Sequence, residues 1–245
     1  MKTKFLLLMP LLAATFNSCS VELGGEHEFM NVKGGKSGSG ANKLIKEVIF
    51  EDANPRSFKF LYDEMQRVKQ IDFQYLNGSL AKSVTTYNYD NDLITVHNSD
   101  GVSGVFTLDK NDYLTKLEDS NGNFMLFEYA NGLLVQVNGK QATFLNYVWE
   151  NGNLIKVAFS ETESYTYTYN NIENKMNINI FNDMFWDMRW IGNSKGNNTQ
   201  NLPISLTGSW TGITIMYSYT YDIDGYPREI DIYGFAKGKI VITYY

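Results

Sequence analysis

The sequence predicts an all-β protein, built as one antiparallel up-and-down meander of about sixteen strands after residue 42. Three observations predict it: apolar and polar residues alternate, hairpin signals recur about every twenty residues, and the composition suits strands and turns. Aromatic residues make up 15% of the chain and include 17 Tyr, and 20 Gly supply turns. A barrel-like or strongly curved sheet is expected, because closure removes exposed edges; a flattened two-sheet sandwich is the alternative.

The first 18 residues have the pattern of a signal peptide. Lys2 and Lys4 precede an apolar stretch, Phe5–Phe16, which is too short to span a bilayer as a helix. It ends just before Cys19, the only cysteine. This arrangement resembles the signal and lipobox of a bacterial lipoprotein, in which Cys19 would become the lipidated first residue. An ordinary cleaved signal with a leftover thiol is the alternative.

Residues 19–42 read as the lipidated cysteine and a flexible tether, because Gly and Ser dominate and little apolar surface could be buried. The formal net charge of the chain is −6, and loss of Lys2 and Lys4 with the leader makes it two units more negative. Such a charge argues for solubility and against a surface that binds nucleic acid or anionic lipid. Residues 43–245 are then a single β domain.

The hairpin theme is clearest around Asn131-Gly132, which separates two alternating strands. This dipeptide is typical of a two-residue hairpin turn, in which both residues adopt positive φ. An aromatic or apolar anchor precedes each polar turn, and these anchors are Tyr62, Tyr89, Leu108, Tyr129, Trp149, Tyr169 and Tyr221. A spacing near twenty residues corresponds to one hairpin per repeat.

After each anchor, apolar residues fall three positions apart, as in Leu134 and Val137 or Leu154 and Val157. Residues three apart lie on opposite faces of a regular strand. Either both faces are partly apolar there or a β-bulge intervenes, and the sequence leaves both alternatives open.

The later part of the chain alternates strongly, then breaks. Tyr165, Tyr167 and Tyr169 are expected to face one way, and Ile178 and Ile180 alternate with Asn177 and Asn179 as in a strand. Asp183 could cap a short helical turn within Asn182–Trp190. The pattern predicts a long break in the meander from Gly192 to Gly212.

Short motifs suggest two resemblances. Tyr221-Asp222-Ile223-Asp224-Gly225 and Tyr62-Asp63 resemble the tyrosine-aspartate repeats of large β-shell toxins and wall-associated proteins. Trp190-Ile191-Gly192, Ser194-Lys195 and Asn201-Leu202-Pro203 resemble an uncharacterised Bacteroidetes lipoprotein family, a domain of unknown function with a porin-like fold. That resemblance implies a many-stranded up-and-down sheet and an envelope location, and carries no catalytic residue.

Catalytic and metal chemistry have little support in the sequence. His97 is the only histidine of the β domain, and a single imidazole without a placed partner does not make a catalytic triad. Acidic turns such as Asp222 with Asp224 offer oxygen ligands, but Asp, Asn and Gly are what hairpin turns use. We therefore expect no metal or other cofactor and favour a non-catalytic protein, although a carboxylate pair could still serve glycoside hydrolysis.

The aromatic residues near the predicted break form the candidate binding surface. Large flat rings at a loop rim could stack on sugar faces or anchor a protein partner. The candidate residues are Trp186, Trp190, Trp210 and Tyr217, with Arg189 and Lys195 as polar handles. The alternative is that these rings pack one end of the sheet.

Taken together, the sequence predicts a lipid-anchored cell-envelope protein, held on the outer membrane and facing either the periplasm or the cell surface. A binding or structural role is favoured, with a glycan or an envelope protein as partner; carbohydrate binding or glycan processing is the alternative. A membrane-spanning barrel is the rival, but strands that carry Lys156, Glu229 and Asp231 suit water better than lipid.

Overall fold

The computed structural model describes residues 43–79, 81–101, 103–139, 144–176, 178, 180 and 199–245. Signal peptide, Cys19 and tether lie outside the described residues, as does the short helix predicted within Asn182–Trp190. The described strands belong to a compact unit, Ala41–Tyr245. In the described part of the chain, no helix is long and apolar enough to cross a membrane.

Sixteen strands follow one another along the described chain. They are β1 Ile45–Glu51, β2 Arg56–Tyr62, β3 Val68–Tyr75, β4 Lys82–Asp90, β5 Leu93–Asn98, β6 Ser103–Leu108, β7 Leu114–Asp119, β8 Phe124–Ala130, β9 Leu133–Gly139, β10 Phe144–Glu150, β11 Asn153–Ala158, β12 Ser164–Glu173, β13 Asn201–Gly208, β14 Thr214–Tyr221, β15 Pro227–Gly234 and β16 Gly238–Tyr244.

Each strand pairs antiparallel with its sequence neighbours, and β1 pairs with β16 to close the barrel. The predicted meander and its closure are therefore confirmed, and the sandwich alternative is not what the chain forms. Closure leaves no free strand edge among these sixteen, so none offers unpaired backbone groups to another chain.

The barrel has two rims. The anchor rim carries the connections after even-numbered strands: 63–67, 91–92, 109–113, 131–132, 151–152, 174–200 and 222–226. The far rim carries the connections after odd-numbered strands. At the anchor rim, Asn131 and Gly132 have φ of 53° and 77°, which confirms the predicted positive φ values of this turn.

β-Bulges explain the apolar residues three apart. Tyr129 pairs with Leu134, whereas the preceding residue pairs with Gln136, so Val135 is the extra residue of a bulge. The bulge restores Leu134 and Val137 to the same inner face, and both are buried. Equivalent register shifts occur in β3, β7, β11 and β15.

Polar atoms of interior aromatic side chains donate to backbone carbonyls at six of the bulges, those in β1, β3, β9, β11, β13 and β15. The hydroxyl of Tyr89 donates to the carbonyl oxygen of Val68 at 2.9 Å, and Trp149 Nε1 donates to that of Leu134 at 2.8 Å. The same contact joins four further pairs: Tyr62 to Ile45, Tyr169 to Leu154, Tyr219 to Pro203 and Tyr244 to Pro227. A bulge disrupts the ladder locally, so a buried carbonyl there needs another donor.

Leu108 is the anchor that cannot donate a hydrogen bond, and the strand before it has no bulge whose carbonyl would need a donor. It ends β6, whose preceding strand β5 pairs with both neighbours without a register shift. A strand without a bulge leaves no carbonyl for the anchor to satisfy. An aliphatic anchor at position 108 therefore leaves no bulge carbonyl of β5 without a donor.

Two expectations about the break were wrong. The strand β13 lies at Asn201–Gly208, inside the stretch Gly192–Gly212 that was predicted to break the meander. Pro203 is tolerated because the register shifts next to it, at a bulge. Conversely, Ile178 and Ile180 belong to no strand but to the connection 174–200, and both are buried in the core.

Candidate functional site

The inner face of the barrel is apolar. Phe60 is fully buried whereas the next residue, Leu61, is 40% exposed, which fixes the direction of alternation in β2. Inward residues of the other strands follow the same pattern, among them Ile94, Phe106, Val137, Leu145, Ile230 and Ile242. Ile178, Ile180 and Met176 of the connection 174–200 join this core. Sixteen strands can enclose an aqueous channel, but the described inward side chains of this barrel are mostly apolar and buried.

The outer face is polar. Its lysines include Lys59, Lys82, Lys116, Lys156 and Lys239, and ion pairs join Lys59, Lys116 and Lys239 to carboxylates. Lys239 Nζ, for example, lies 2.9 Å from Glu229 Oε2 and 3.7 Å from Asp231 Oδ1. As expected from the sequence, Lys156, Glu229 and Asp231 thus lie on the face opposite the core.

Outward apolar side chains are scattered between polar ones. Leu126 pairs with Lys116 on one side and Asn138 on the other. Val105 similarly lies between Thr95 and Glu118. A membrane-spanning barrel carries a continuous apolar band outside and polar residues inside. The polarity of this barrel is the reverse.

Tyr217 lies in the interior. It is 9% exposed, and burial raises its pKa to about 12. Its neighbours include Tyr167, whose pKa burial raises well above the ordinary value, and Tyr219. The alternating tyrosines of β12 therefore face one way, toward the interior, and Tyr217 and Tyr219 of β14 do the same. A ligand would have to enter the barrel to reach Tyr217.

Trp210 lies on the far rim, in the connection between β13 and β14, and is 42% exposed. Its ring centroid is 4.8 Å from that of Tyr165 and 5.6 Å from that of Phe159. Ser209 fixes the same loop: its hydroxyl donates to Thr162 O at 2.9 Å and accepts the amide of Ser164 at 2.8 Å. The indole is thus a preorganised platform with an exposed part.

The other predicted binding residues, Trp186, Trp190, Arg189 and Lys195, lie outside the described residues. The connection that contains them leaves and rejoins the barrel at the anchor rim, whereas Trp210 is on the far rim. The supporting rings of Phe159 and Tyr165 were missed by sequence reasoning, because no local signal links them to a tryptophan about fifty residues away.

A charged network at the anchor rim was also missed. Lys43 Nζ lies 2.7 Å from Asp222 Oδ2 and 2.5 Å from Asp224 Oδ2. Lys43 and Lys175 also approach the ring of Tyr226, at 5.2 and 5.6 Å. Hydrogen bonding to Asp222 raises the pKa of Lys43. This network ties the start of β1 to the turn between β14 and β15.

The acidic turns use their carboxylates to order the backbone. Asp222 Oδ1 accepts the amides of Asp224 and Tyr226, both at 2.9 Å, and Asp109 Oδ1 accepts two amides in the same way. Desolvation opposes ionisation of Asp222, but hydrogen bonds from Lys43 and these amides lower its pKa overall. In the described residues, no group of three or more His, Cys, Asp or Glu is placed to hold a metal.

His97 lies on the outer face, where its Nδ1 is 3.1 Å from Ser103 Oγ. Both residues are on the polar surface of neighbouring strands, with Thr86 across from His97 in the other direction. The pair is a cross-strand hydrogen bond on an open surface rather than a nucleophile and base within a pocket.

No family model matches the sequence, and no curated protein matches it. Among solved structures, the fold is similar to a porin-like protein from Bacteroides uniformis ATCC 8492, with a TM-score of 0.67 and 17% identity over 82% of this chain and 98% of that one. A porin-like protein from Bacteroides vulgatus ATCC 8482 is also similar, with a TM-score of 0.59 and 16% identity over 83% of this chain and 99% of that one. At these identities the likeness concerns the fold.

Proposed function

We propose that this chain is a lipid-anchored cell-envelope protein whose barrel lies in water beside the membrane and acts by binding or scaffolding. The observation that carries this proposal is the polarity of the barrel, with a packed apolar interior and a charged outer face. Buried apolar side chains on the inner face do not suit an aqueous pore, and a charged outer face does not suit lipid.

The lysines of the outer face would make insertion of the barrel into a bilayer costly. A lysine on the lipid-facing side of a barrel costs about 2–4 kcal/mol at the bilayer midplane. Outward lysines occur on β2, β4, β7, β11 and β16, so they are distributed around the barrel rather than confined to one side. Strands that carry Lys116 and Lys156 would expose those charges to lipid, whereas water solvates them without cost.

Anchoring is assigned to Cys19, the single cysteine, which follows the apolar leader. Two chains of a lipid-modified cysteine hold a soluble domain firmly on a bilayer. We assign the outer membrane as the destination, with the barrel on its periplasmic or its outer side. The solved porin-like structures of similar fold are consistent with an envelope location.

The test is fractionation of cells expressing the wild type, Cys19→Ala and the matched control Ser20→Ala. Wild type and Ser20→Ala should pellet with the outer membrane, and metabolic labelling with a fatty acid should mark both. Cys19→Ala should appear in a soluble fraction without label. Membrane pelleting of all three proteins would contradict the anchor.

A second candidate function is glycan binding, which is favoured by the exposed and preorganised indole of Trp210. Aromatic rings stack on the apolar faces of sugars, and a rigid ring loses little entropy on binding. The connection that carries Trp210 also presents the hydroxyl group of Thr211. The neighbouring connection, between β11 and β12, presents the carboxylate of Glu161. Trp186, Trp190, Arg189 and Lys195 remain proposed contacts on a separate connection, 174–200, which joins the barrel at the anchor rim, and Tyr217 inside the barrel could contact only a ligand that enters it.

A glycan array and a pull-down from envelope extract would test this candidate. Trp210→Ala should lose the bound glycans, whereas Phe235→Ala, which removes another exposed ring of the far rim, should keep them. A Trp190→Ala/Trp210→Ala double variant tests the two connections, one at each rim, together. If the folded double variant retains every ligand of the wild type, the rings serve packing and glycan binding through them is excluded.

A further inference from the structure

Two segments that are far apart in the sequence meet at one turn of the anchor rim, 222–226, between β14 and β15. One is the chain just before β1, at Lys43, and the other is the start of the connection 174–200, at Lys175. Both ammonium groups approach the ring of Tyr226, which is buried. We call this turn, together with its two lysines, the clasp.

Lys43 holds the turn in its shape. Its ammonium group lies between two carboxylates, 2.7 Å from Asp222 Oδ2 and 2.5 Å from Asp224 Oδ2. Its backbone amide also donates to the hydroxyl of Tyr226 at 3.3 Å. Asp222 Oδ1 in turn accepts the amides of Asp224 and Tyr226, both at 2.9 Å. Without the ammonium group, the two carboxylates that share it would repel each other, and the turn would loosen.

Lys175 depends on the same turn. Its Nζ donates to the backbone oxygen of Asp224 at 2.8 Å. A Cβ atom on Gly225 would lie only 3.3 Å from this Nζ, so the ammonium group rests directly against the backbone of the turn. Asp224 therefore gives its carboxylate to Lys43 and its carbonyl to Lys175. A turn that loses Lys43 no longer fixes the acceptor of Lys175.

The described residues that follow Lys175 are held by burial rather than by a strand ladder. Met176 and Ile178 are buried in the core, although neither belongs to a strand. The amide of Asn174 donates to Gln200 O at 2.8 Å and joins the two ends of the connection. Segments outside the strand ladder open more readily than paired strands do. The contact of Lys175 with the turn should therefore influence how often this segment opens.

We propose that the clasp couples the chain entry at Lys43 to the connection 174–200, so that a displacement of either segment loosens the other. The groups that transmit the displacement are Asp224 and Tyr226, which both lysines share. A coupling free energy acts equally in both directions, so the effect is reciprocal. The device is independent of what the barrel binds.

Hydrogen exchange of the full chain, followed by mass spectrometry of single amides, tests the coupling. The amide of Asn174, which donates to Gln200 O, reports opening of the connection. The amide of Tyr245, which donates to Leu44 O at 3.0 Å, reports opening of the chain entry. Each reporter lies in only one of the two segments.

Lys43→Met and Lys175→Met each remove one ammonium group from the clasp and keep an unbranched side chain. Lys239→Met is the matched control, because it removes an ion pair with Glu229 at 2.9 Å on β15 and β16 and does not contact the turn through that pair. All three substitutions are on the surface, and circular dichroism checks the fold of each variant.

Lys43→Met should speed exchange of the Asn174 amide at least about threefold, and Lys175→Met should do the same for the Tyr245 amide, because both act through the shared turn. Lys239→Met should leave both rates unchanged. In the double variant of Lys43 and Lys175, each rate should rise by less than the product of the single effects, because the same turn is loosened only once. If either lysine variant leaves the reporter of the other segment unchanged, or if Lys239→Met has an equal effect, the segments open independently and the inference is wrong.

Discussion

Replacing Tyr89 by Phe removes one hydroxyl group from a bulge and leaves the rest of the contact in place. In the wild type this hydroxyl donates to Val68 O at 2.9 Å, and both residues are largely or fully buried. A typical hydrogen bond contributes about 0.5–1.5 kcal/mol, and an unsatisfied buried carbonyl costs about 1–3 kcal/mol. Because the ring and its contact with Arg67 at 4.1 Å remain, we expect a loss of about 1–2 kcal/mol in the free energy of unfolding.

Urea denaturation measures this loss as a lower midpoint with an unchanged m-value. Tyr233→Phe is the matched control, since Tyr233 lies 42% exposed on the outer face and its substitution should change stability by less than about 0.5 kcal/mol. If the two variants are equally stable, the interior hydroxyl groups do not stabilise the bulges, and the explanation of the aromatic anchors fails.

Three further predictions follow from the same structure. Phe60→Ala should destabilise the barrel by about 3–5 kcal/mol, whereas Leu61→Ala on the outer face should destabilise it by less than about 1 kcal/mol. Equal losses of stability in thermal unfolding would contradict the assignment of Phe60 to the inner face and Leu61 to the outer face. Gly122→Ala should lower the free energy of unfolding by about 1–2 kcal/mol, because the φ of Gly122 is 72°. Gly234→Ala should lower it clearly more, because a Cβ at this position would also lie 2.5 Å from Thr214 O. Chemical denaturation of both variants measures the difference. Burial raises the pKa of Tyr217 to about 12, whereas the pKa of an unfolded tyrosine is about 10. The free energy of unfolding should therefore be intact below a pH of about 10 and decrease between these two values. Denaturation at a series of alkaline pH values should show a smaller decrease for Tyr217→Phe than for the wild type.

Local chemistry was sufficient to predict the meander. Asn131-Gly132 and the alternating residues around it encode a hairpin within about ten residues, and repetition of such hairpins gives sequential antiparallel pairing. The sequence could not decide between a bulge and two apolar faces at Leu134 and Val137. The bulge depends on which residues pair across strands, and only the register shows that both side chains point inward.

The errors arose where tertiary contacts override a local signal. Pro203 and the polar residues before it suggested a loop, but a bulge beside Pro203 accommodates it within β13. Ile178 and Ile180 have the alternation of a strand, yet they fill the core from a connection. A register shift in the first case, and burial in the core in the second, overrides the local signal.

The candidate site was harder to predict from the sequence than the fold. Proximity along the chain suggested that Trp186, Trp190 and Trp210 act together, but strand direction places Trp210 on the far rim and the connection of the other two at the anchor rim. Tyr217 belongs to the alternation that predicted its strand, and the same alternation turns it inward. The contact of Lys43 with Asp222 joins residues that are distant in the sequence and meet only because the barrel closes.

The behaviour of the purified Cys19→Ala protein without detergent tests the central claim most directly. A barrel with a packed apolar interior and a charged outer face should elute from size-exclusion chromatography as a single symmetric peak in plain buffer, with the circular dichroism of a β protein and no conductance in planar bilayers. Aggregation without detergent, recovery of the folded barrel only in micelles, or stable channels in the bilayer would show that lipid contacts the outer face and would contradict the account.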